Sequence, residues 1–149
     1  MENTLSIIAI GLSVASGIFT LITFLWTVRR DRKQATLEAY NRLQTEVFDH
    51  LNTYRPSQIL EICEDNRSAE YKTISGYLAR IEHFCVGLNR GIYDKETFYA
   101  LAHGYFDGHQ IRKRIEPMIK SKNSNKSTEQ FYDDTLSVLK EMERKAKKK

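Results

Sequence analysis

The side chains able to do acid–base, nucleophilic or metal chemistry are few: four histidines (His50, His83, His103 and His109) and two cysteines, Cys63 and Cys85. A metal centre gathers its ligands at short spacings, as in two histidines four apart on one helical face or cysteines paired as CxxC. His103 and His109 are six apart and cannot share a helical face, and the two cysteines are far apart in the chain. No metal-ligand pattern emerges, and there is no phosphate-cradling Walker loop, GxGxxG turn or GxSxG elbow. His109 falls on the apolar side of its helix, where a hydrogen-bonded core imidazole is the ordinary explanation. His83 lies opposite the apolar face of its own helix, so Cys85 with His83 would form a nucleophile and base only through the tertiary fold. The sequence therefore predicts no catalytic, cofactor-binding or metal residue and no cofactor. Both cysteines read as small buried hydrophobes in a reducing compartment. An enzyme built on Cys85 or His109 is the weakest of three functional readings.

The elements that would position any site are organised around residues 5–28, an uncharged apolar run closed by Arg29, Arg30, Asp31, Arg32 and Lys33. A helix of that length reaches roughly 36 Å, enough to cross a hydrocarbon slab of about 30 Å with some tilt. A cleaved secretory signal would carry its positive charge before the apolar run. Here only Glu2 precedes the run and the basic cluster follows it. Arg29, Arg30, Arg32 and Lys33 therefore predict an outside amino terminus, a cytoplasmic remainder and contact with anionic headgroups, with Trp26 at the inner boundary. Asn66-Arg67-Ser68 and Asn125-Lys126-Ser127 match the glycosylation acceptor pattern, but this orientation hides them from that machinery.

Helical projection of the run gathers Ser6, Ala9, Ser13, Ser16, Gly17, Thr20, Thr23 and Thr27 in one sector, with Ile7, Val14, Ile18, Leu21, Ile22 and Leu25 largely opposite. Small residues let helix backbones approach closely in a bilayer, and hydroxyls can bond across the contact or to their own backbone. The expected partners are the lipid bilayer and either further copies of the chain or another membrane protein. A water-lined path along the same face is the alternative.

Beyond the run, scarce Pro and Gly and helical spacing of Leu, Ile, Tyr and Phe predict an all-α fold: one amino-terminal transmembrane helix and a cytoplasmic bundle of four to five helices. The expected divisions are 5–28 span, 29–56 stalk helix and start of the bundle, 57–120 bundle core, 121–127 linker, and 128–149 last helix with a basic tail. The stalk should bury Leu37, Tyr40, Leu43, Val47, Phe48, Leu51 and Tyr54. Ser57 should cap a short helix after Pro56, Ser68 a longer one closed by Gly91, and Asp94 a fourth that Pro117 bends or ends. Gly104 and Gly108 mark either a close helix crossing or a local weak point in helicity, and Ser127 with Gln130 forms a capping box for the last helix. That helix should bury Phe131, Leu136, Leu139 and Met142. Setting aside Glu2, 23 basic face 18 acidic side chains, a formal +5 concentrated after the span and in the tail. No nucleic-acid reading motif accompanies it, so nucleic acid is not an expected partner.

The run from Ile81 to Asp94, IEHFCVGLNRGIYD, carries Glu82, an aromatic, a small residue, Gly87, Gly91, Ile92, an aromatic and Asp94. It resembles the signature of a bacterial family of small single-span helical membrane proteins, domain of unknown function 4760. The likeness extends loosely to the amino-terminal span, to Thr36-Leu37-Glu38 and to residues 114–119. The resemblance implies the architecture, a bacterial inner-membrane location and no assigned activity. Glu82, at the edge of the core stripe, is expected to bond the fourth helix or a basic side chain, or to be a solvated acid. The leading functional expectation is a non-catalytic bitopic protein that associates through its span and presents the bundle for protein interaction. The runner-up is a membrane-disrupting or channel-forming effector using the Ser/Thr face.

Overall fold

The computed structural model describes residues 2–102, 110–124 and 132–146, and every regular element among them is helical. Helix α1 (Glu2–Leu43) passes through one π-helical turn (Gln44–Phe48) into the short α2 (Asp49–Asn52). The amphipathic stalk is thus continuous with the apolar run, as one helix. Within Ser6–Asn52 lies a segment long and apolar enough to cross a membrane, near the amino terminus. Its large side chains, Ile7, Leu12, Phe19 and Phe24 among them, are more than half exposed, a continuous apolar surface that a protein in water rarely presents.

Further along, the same helix turns amphipathic. Thr36, Tyr40, Leu43, Val47, Phe48 and Leu51 are buried. Leu37, expected in this stripe, is 40% exposed, and the place belongs to Thr36, one step around the helix, whose hydroxyl is required by a neighbouring turn. At the π-helical turn the Asp49 N–H donates to the Gln44 carbonyl five residues back, and the adjacent Val47 and Phe48 are both in the core.

Pro56 forces Arg55 into an extended conformation and opens α3 (Pro56–Glu64). The cap is not Ser57 as expected: the Arg55 N–H donates to Gln58 Oε1 at 2.8 Å, and Ser57 lies in the first turn. An Asx turn at Asp65 leads to Ser68, whose hydroxyl accepts the Tyr71 N–H at 3.0 Å and starts α4 (Ala69–Asn89). Helix α4 buries Ile74, Leu78, Ile81, Phe84, Cys85 and Leu88 and leaves Tyr71 and Tyr77 half-buried. Its aromatic centre is shared: Phe84, Tyr40 and Phe98 meet with ring centroids 5.4 to 6.4 Å apart.

Of the long fourth helix expected from Asp94, the structure describes α5 (Lys95–Ala102) and α6 (Gln110–Ser124). His103, Gly104, Tyr105, Gly108 and His109 lie outside the described residues, as do Ser127, Gln130 and Phe131. Pro117 does not end α6; burial of Ile115, Met118 and Ile119 offsets the hydrogen bond that proline removes, and the helix reaches into the segment expected as a linker. Helix α7 (Asp133–Ala146) packs on α4 through Thr135, Val138, Leu139 and Met142. Leu136, assigned to that face, is 36% exposed.

Candidate functional site

Of the residues singled out by the signature, Gly87, Gly91 and Asp94 meet in one place, the end of α4. There the Ile92 N–H donates to the Gly87 carbonyl (2.9 Å) and the Gly91 N–H to the Leu88 carbonyl (3.2 Å), the paired bonds of a Schellman closure. Gly91 takes φ +71°, the left-handed conformation that the closure demands and that glycine adopts without strain. Gly87 has a different purpose. A Cβ there would overlap the ring of Tyr93, which lies against the α4 backbone and stacks on Phe84 with centroids 5.1 Å apart.

Asp94 closes the turn. Its Oδ1 accepts the Thr97 N–H at 2.8 Å and the Thr97 hydroxyl at 2.6 Å, capping α5. Its own N–H donates to the hydroxyl of Thr36 on α1 at 2.7 Å, while that hydroxyl donates to the Arg32 carbonyl. The bonds from Thr97 hold the Asp94 carboxyl below the usual aspartate range, with the charges of Lys33 and Arg32 adding to the effect and partial desolvation opposing it.

Glu82 reaches away from this turn to the start of α7. Its carboxylate accepts the N–H of Asp134 (3.2 Å), the N–H of Thr135 (2.9 Å) and the Thr135 hydroxyl (2.5 Å). A carboxylate on otherwise orphaned amides at a helix amino terminus satisfies donors and complements the helix dipole at once. Asn89 supports the same end by donating to Asp134 Oδ1 at 2.6 Å. Glu82 was expected to bond the helix after Asp94 or a basic side chain; its donors belong instead to α7, the last helix.

This hub is structural chemistry, and the candidate nucleophile inside it is shielded. Cys85 is buried beneath Thr135, and desolvation pushes its thiol up to about 12, with the Glu82 and Asp134 charges adding and the Thr135 hydrogen bond opposing. His83 is exposed on the other side of α4, so the two do not form a pair. His50 stacks on Tyr77, centroids 6.0 Å apart. Among the described residues, no three His, Cys, Asp or Glu side chains gather as a metal ion would require.

Two further anchors escape a local reading of the sequence. Arg114 on α6 is buried; its Nε donates to the Tyr54 carbonyl (2.8 Å) and its Nη1 to Asn52 Oδ1 (3.1 Å), so a fixed cation closes the carboxyl end of α2. Its signal was positional: Arg114, Ile115, Met118 and Ile119 share one helical face. Arg112 bridges Glu116 (2.8 Å) and Glu143 (2.6 Å), tying α6 to α7. On the opposite side, a cleft of about 300 Å³ opens between α1 and α4 over Leu43, Val47 and Phe84, with Arg42, His83 and the Arg80–Glu46 ion pair (2.7 Å) at its rim.

The small-residue face of α1 stands clear of the bundle. Ser6, Ala9, Ser13, Ser16, Gly17, Thr20, Thr23 and Thr27 are all exposed. The hydroxyls of Thr20, Thr23 and Thr27 donate to the carbonyls of Ser16, Phe19 and Thr23 at 2.8 to 2.9 Å. Their protons are thus committed to their own helix, and the face offers small volume and oxygen lone pairs. Arg29, Arg30, Arg32 and Lys33 are exposed, with the Arg30 guanidinium 5.8 Å from the centre of the Trp26 ring.

A family model described as Domain of unknown function (DUF4760) matches residues 7–142. No curated protein and no solved structure matches the chain.

Proposed function

The chain belongs to the DUF4760 family, and from the continuity of α1 we propose that it is a non-catalytic, bitopic membrane protein that self-associates or pairs through its span and presents its helical bundle for protein interaction. One observation carries the reading: the helix whose residues 6–27 are exposed and largely apolar also supplies Thr36, Tyr40, Leu43, Val47, Phe48 and Leu51 to the bundle core. A cleaved leader has no reason to run into the core as one helix, and the family match itself begins inside the apolar run, at residue 7. The basic residues after the run orient the amino terminus outward and the bundle toward the cytoplasm. The family resemblance adds a bacterial inner membrane. Association of two spans would reposition the bundles through a rigid connection, a geometry suited to signalling or assembly.

Back-bonded threonines support packing over a wet wall as the use of the small-residue face. The test is oxidative crosslinking in membranes, with single cysteines placed at Ser13, Ser16 or Thr20 and, as comparators, at Ile18 or Leu21, in a chain lacking Cys63 and Cys85. Preferential disulfide dimers from the first set are expected. A chain that stays monomeric, or that crosslinks equally from both faces, overturns the reading. Leakage from liposomes that disappears when Ser13, Ser16 and Thr20 become leucine would replace it with a conducting assembly.

A further inference from the structure

We propose that the turn between α4 and α5 is a second membrane contact, in which exposed Ile92 and neighbouring Arg90 seat against an anionic lipid surface beside Arg29, Arg30, Arg32 and Lys33. The proposal rests on α1 being a span, and it adds what holds the bundle at a fixed tilt to the bilayer.

The two longest helices place the turn. Contacts between α1 and the α4 hairpin form an antiparallel ladder: His50 with Tyr77 (6.0 Å), Glu46 with Arg80 (2.7 Å), Tyr40 with Phe84 (6.4 Å), and Thr36 with Asp94 (2.7 Å). Each step along α1 toward the apolar segment is a step toward the carboxyl end of α4. The turn that follows α4 is therefore at the span-proximal end of the bundle. Arg32, four residues past Val28, is about 6 Å beyond the hydrocarbon edge, within a headgroup layer roughly 5–8 Å deep on each side. The turn is tied to α1 one helical turn beyond this level, where the Thr36 hydroxyl accepts the Asp94 N–H and itself donates to the Arg32 carbonyl.

The Schellman closure explains why an isoleucine is left outside. Its residue Ile92 occupies the position that ordinarily packs back on the helix residue bonded to it, here Gly87. That seat is filled by the ring of Tyr93, and Ile92 remains 59% exposed between partly buried neighbours. Arg90 is exposed and, among the described residues, has no ion-pair partner, so apolar and cationic groups sit side by side, the combination that favours an anionic interface.

The full chain, with Cys63→Ser and Cys85→Ala, is reconstituted in vesicles of phosphatidylcholine and phosphatidylglycerol in equal parts. It carries one fluorophore on Ile92→Cys, on Asn66→Cys at the far end of α4, or on Phe19→Cys in the apolar run. Headgroup-nitroxide lipid is expected to quench the label at position 92 severalfold more than the label at 66, with the excess lost on Arg90→Glu. Quenching at 92 no stronger than at 66 overturns the contact, and equal quenching in pure phosphatidylcholine overturns its anionic character. Mid-chain nitroxide lipid reports separately on position 19: strong quenching there with none at 92 sinks this inference alone, whereas no quenching at 19 sinks the span on which it rests.

Discussion

Glu82→Ala tests whether α7 is latched to the bundle by one carboxylate. The substitution removes the acceptor of three hydrogen bonds, two from backbone amides and one from the wholly buried Thr135 hydroxyl. Loss of a helix cap costs about 1 kcal/mol, and stranding a buried hydroxyl donor a further 1–3 kcal/mol. Water reaching the half-buried helix start recovers some of this, so a loss of about 2–3 kcal/mol is expected for the local opening of α7. Because about 1.4 kcal/mol is a factor of ten, amides of α7 should exchange roughly 30- to 150-fold faster with deuterium. Residues of α4 before Glu82, capped independently by Ser68, should change far less. Glu82→Gln keeps one acceptor oxygen and should fall between wild type and alanine. Hydrogen exchange by mass spectrometry on the detergent-solubilised full chain reads all three. Unchanged exchange in α7, or an increase spread evenly over α4 and α7, would refute the latch.

Gly87→Ala should destabilise by about 1–2 kcal/mol in thermal or denaturant unfolding, because the added methyl meets the Tyr93 ring. Gly76→Ala in the same helix has open space and should be neutral or stabilise by up to about 1 kcal/mol, so equal effects at both sites would contradict the packing account. A maleimide reagent near neutral pH should label the half-buried Cys63 and spare Cys85, whose thiol is pushed up to about 12; both should react after denaturation, and labelling of Cys85 in the native chain would oppose its assignment to the core. Asp94→Asn keeps an accepting Oδ1 and should lower stability at neutral pH only by the charge-assisted part of the cap. Since the folded Asp94 pKa is depressed, its contribution is full above the ordinary value of 3.8 and is lost as pH falls below it through the folded value. The stability gap between wild type and Asp94→Asn should close in that acid window, and a gap independent of pH would separate the cap from the charge.

Boundaries were legible wherever one residue acts on backbone groups a few positions away. Ser68, Gly91 and Asp94 each announce their element in sequence because cap and amide lie within one turn. Arg55 and Gln58 follow the same logic, but a serine beside proline is the louder signal and misplaces the cap. What local pattern cannot carry is a partner more than a helix away. Thr36 is buried because a turn far along the chain needs its hydroxyl, so a hydrophobic stripe assigns its place to Leu37. Glu82 lies on the edge of its stripe, and nothing within a helical turn reveals that its three donors belong to α7. Pro117 fails as a stop for a related reason: burial of the side chains around it outweighs the missing amide.

The signature positions have a shared consequence for how the apolar segment is joined to the bundle. Gly87, Gly91 and Asp94 fasten the end of α4 to α1 through Thr36, whose hydroxyl donates to the Arg32 carbonyl, and Glu82 fastens α4 to α7. A change in the packing of the apolar segment would act first on Arg32 and Thr36, since they lie on the same uninterrupted helix. Rotation of α1 by one residue, about 100°, would replace Thr36 at the turn with a side chain unable to accept the Asp94 N–H in that position. A backbone amide and the cap of α5 would then be lost together, so the hub penalises intermediate rotations and favours rigid-body movement of the whole bundle with α1. The signature is therefore best read as a mechanical coupling between the apolar segment and the helices it carries.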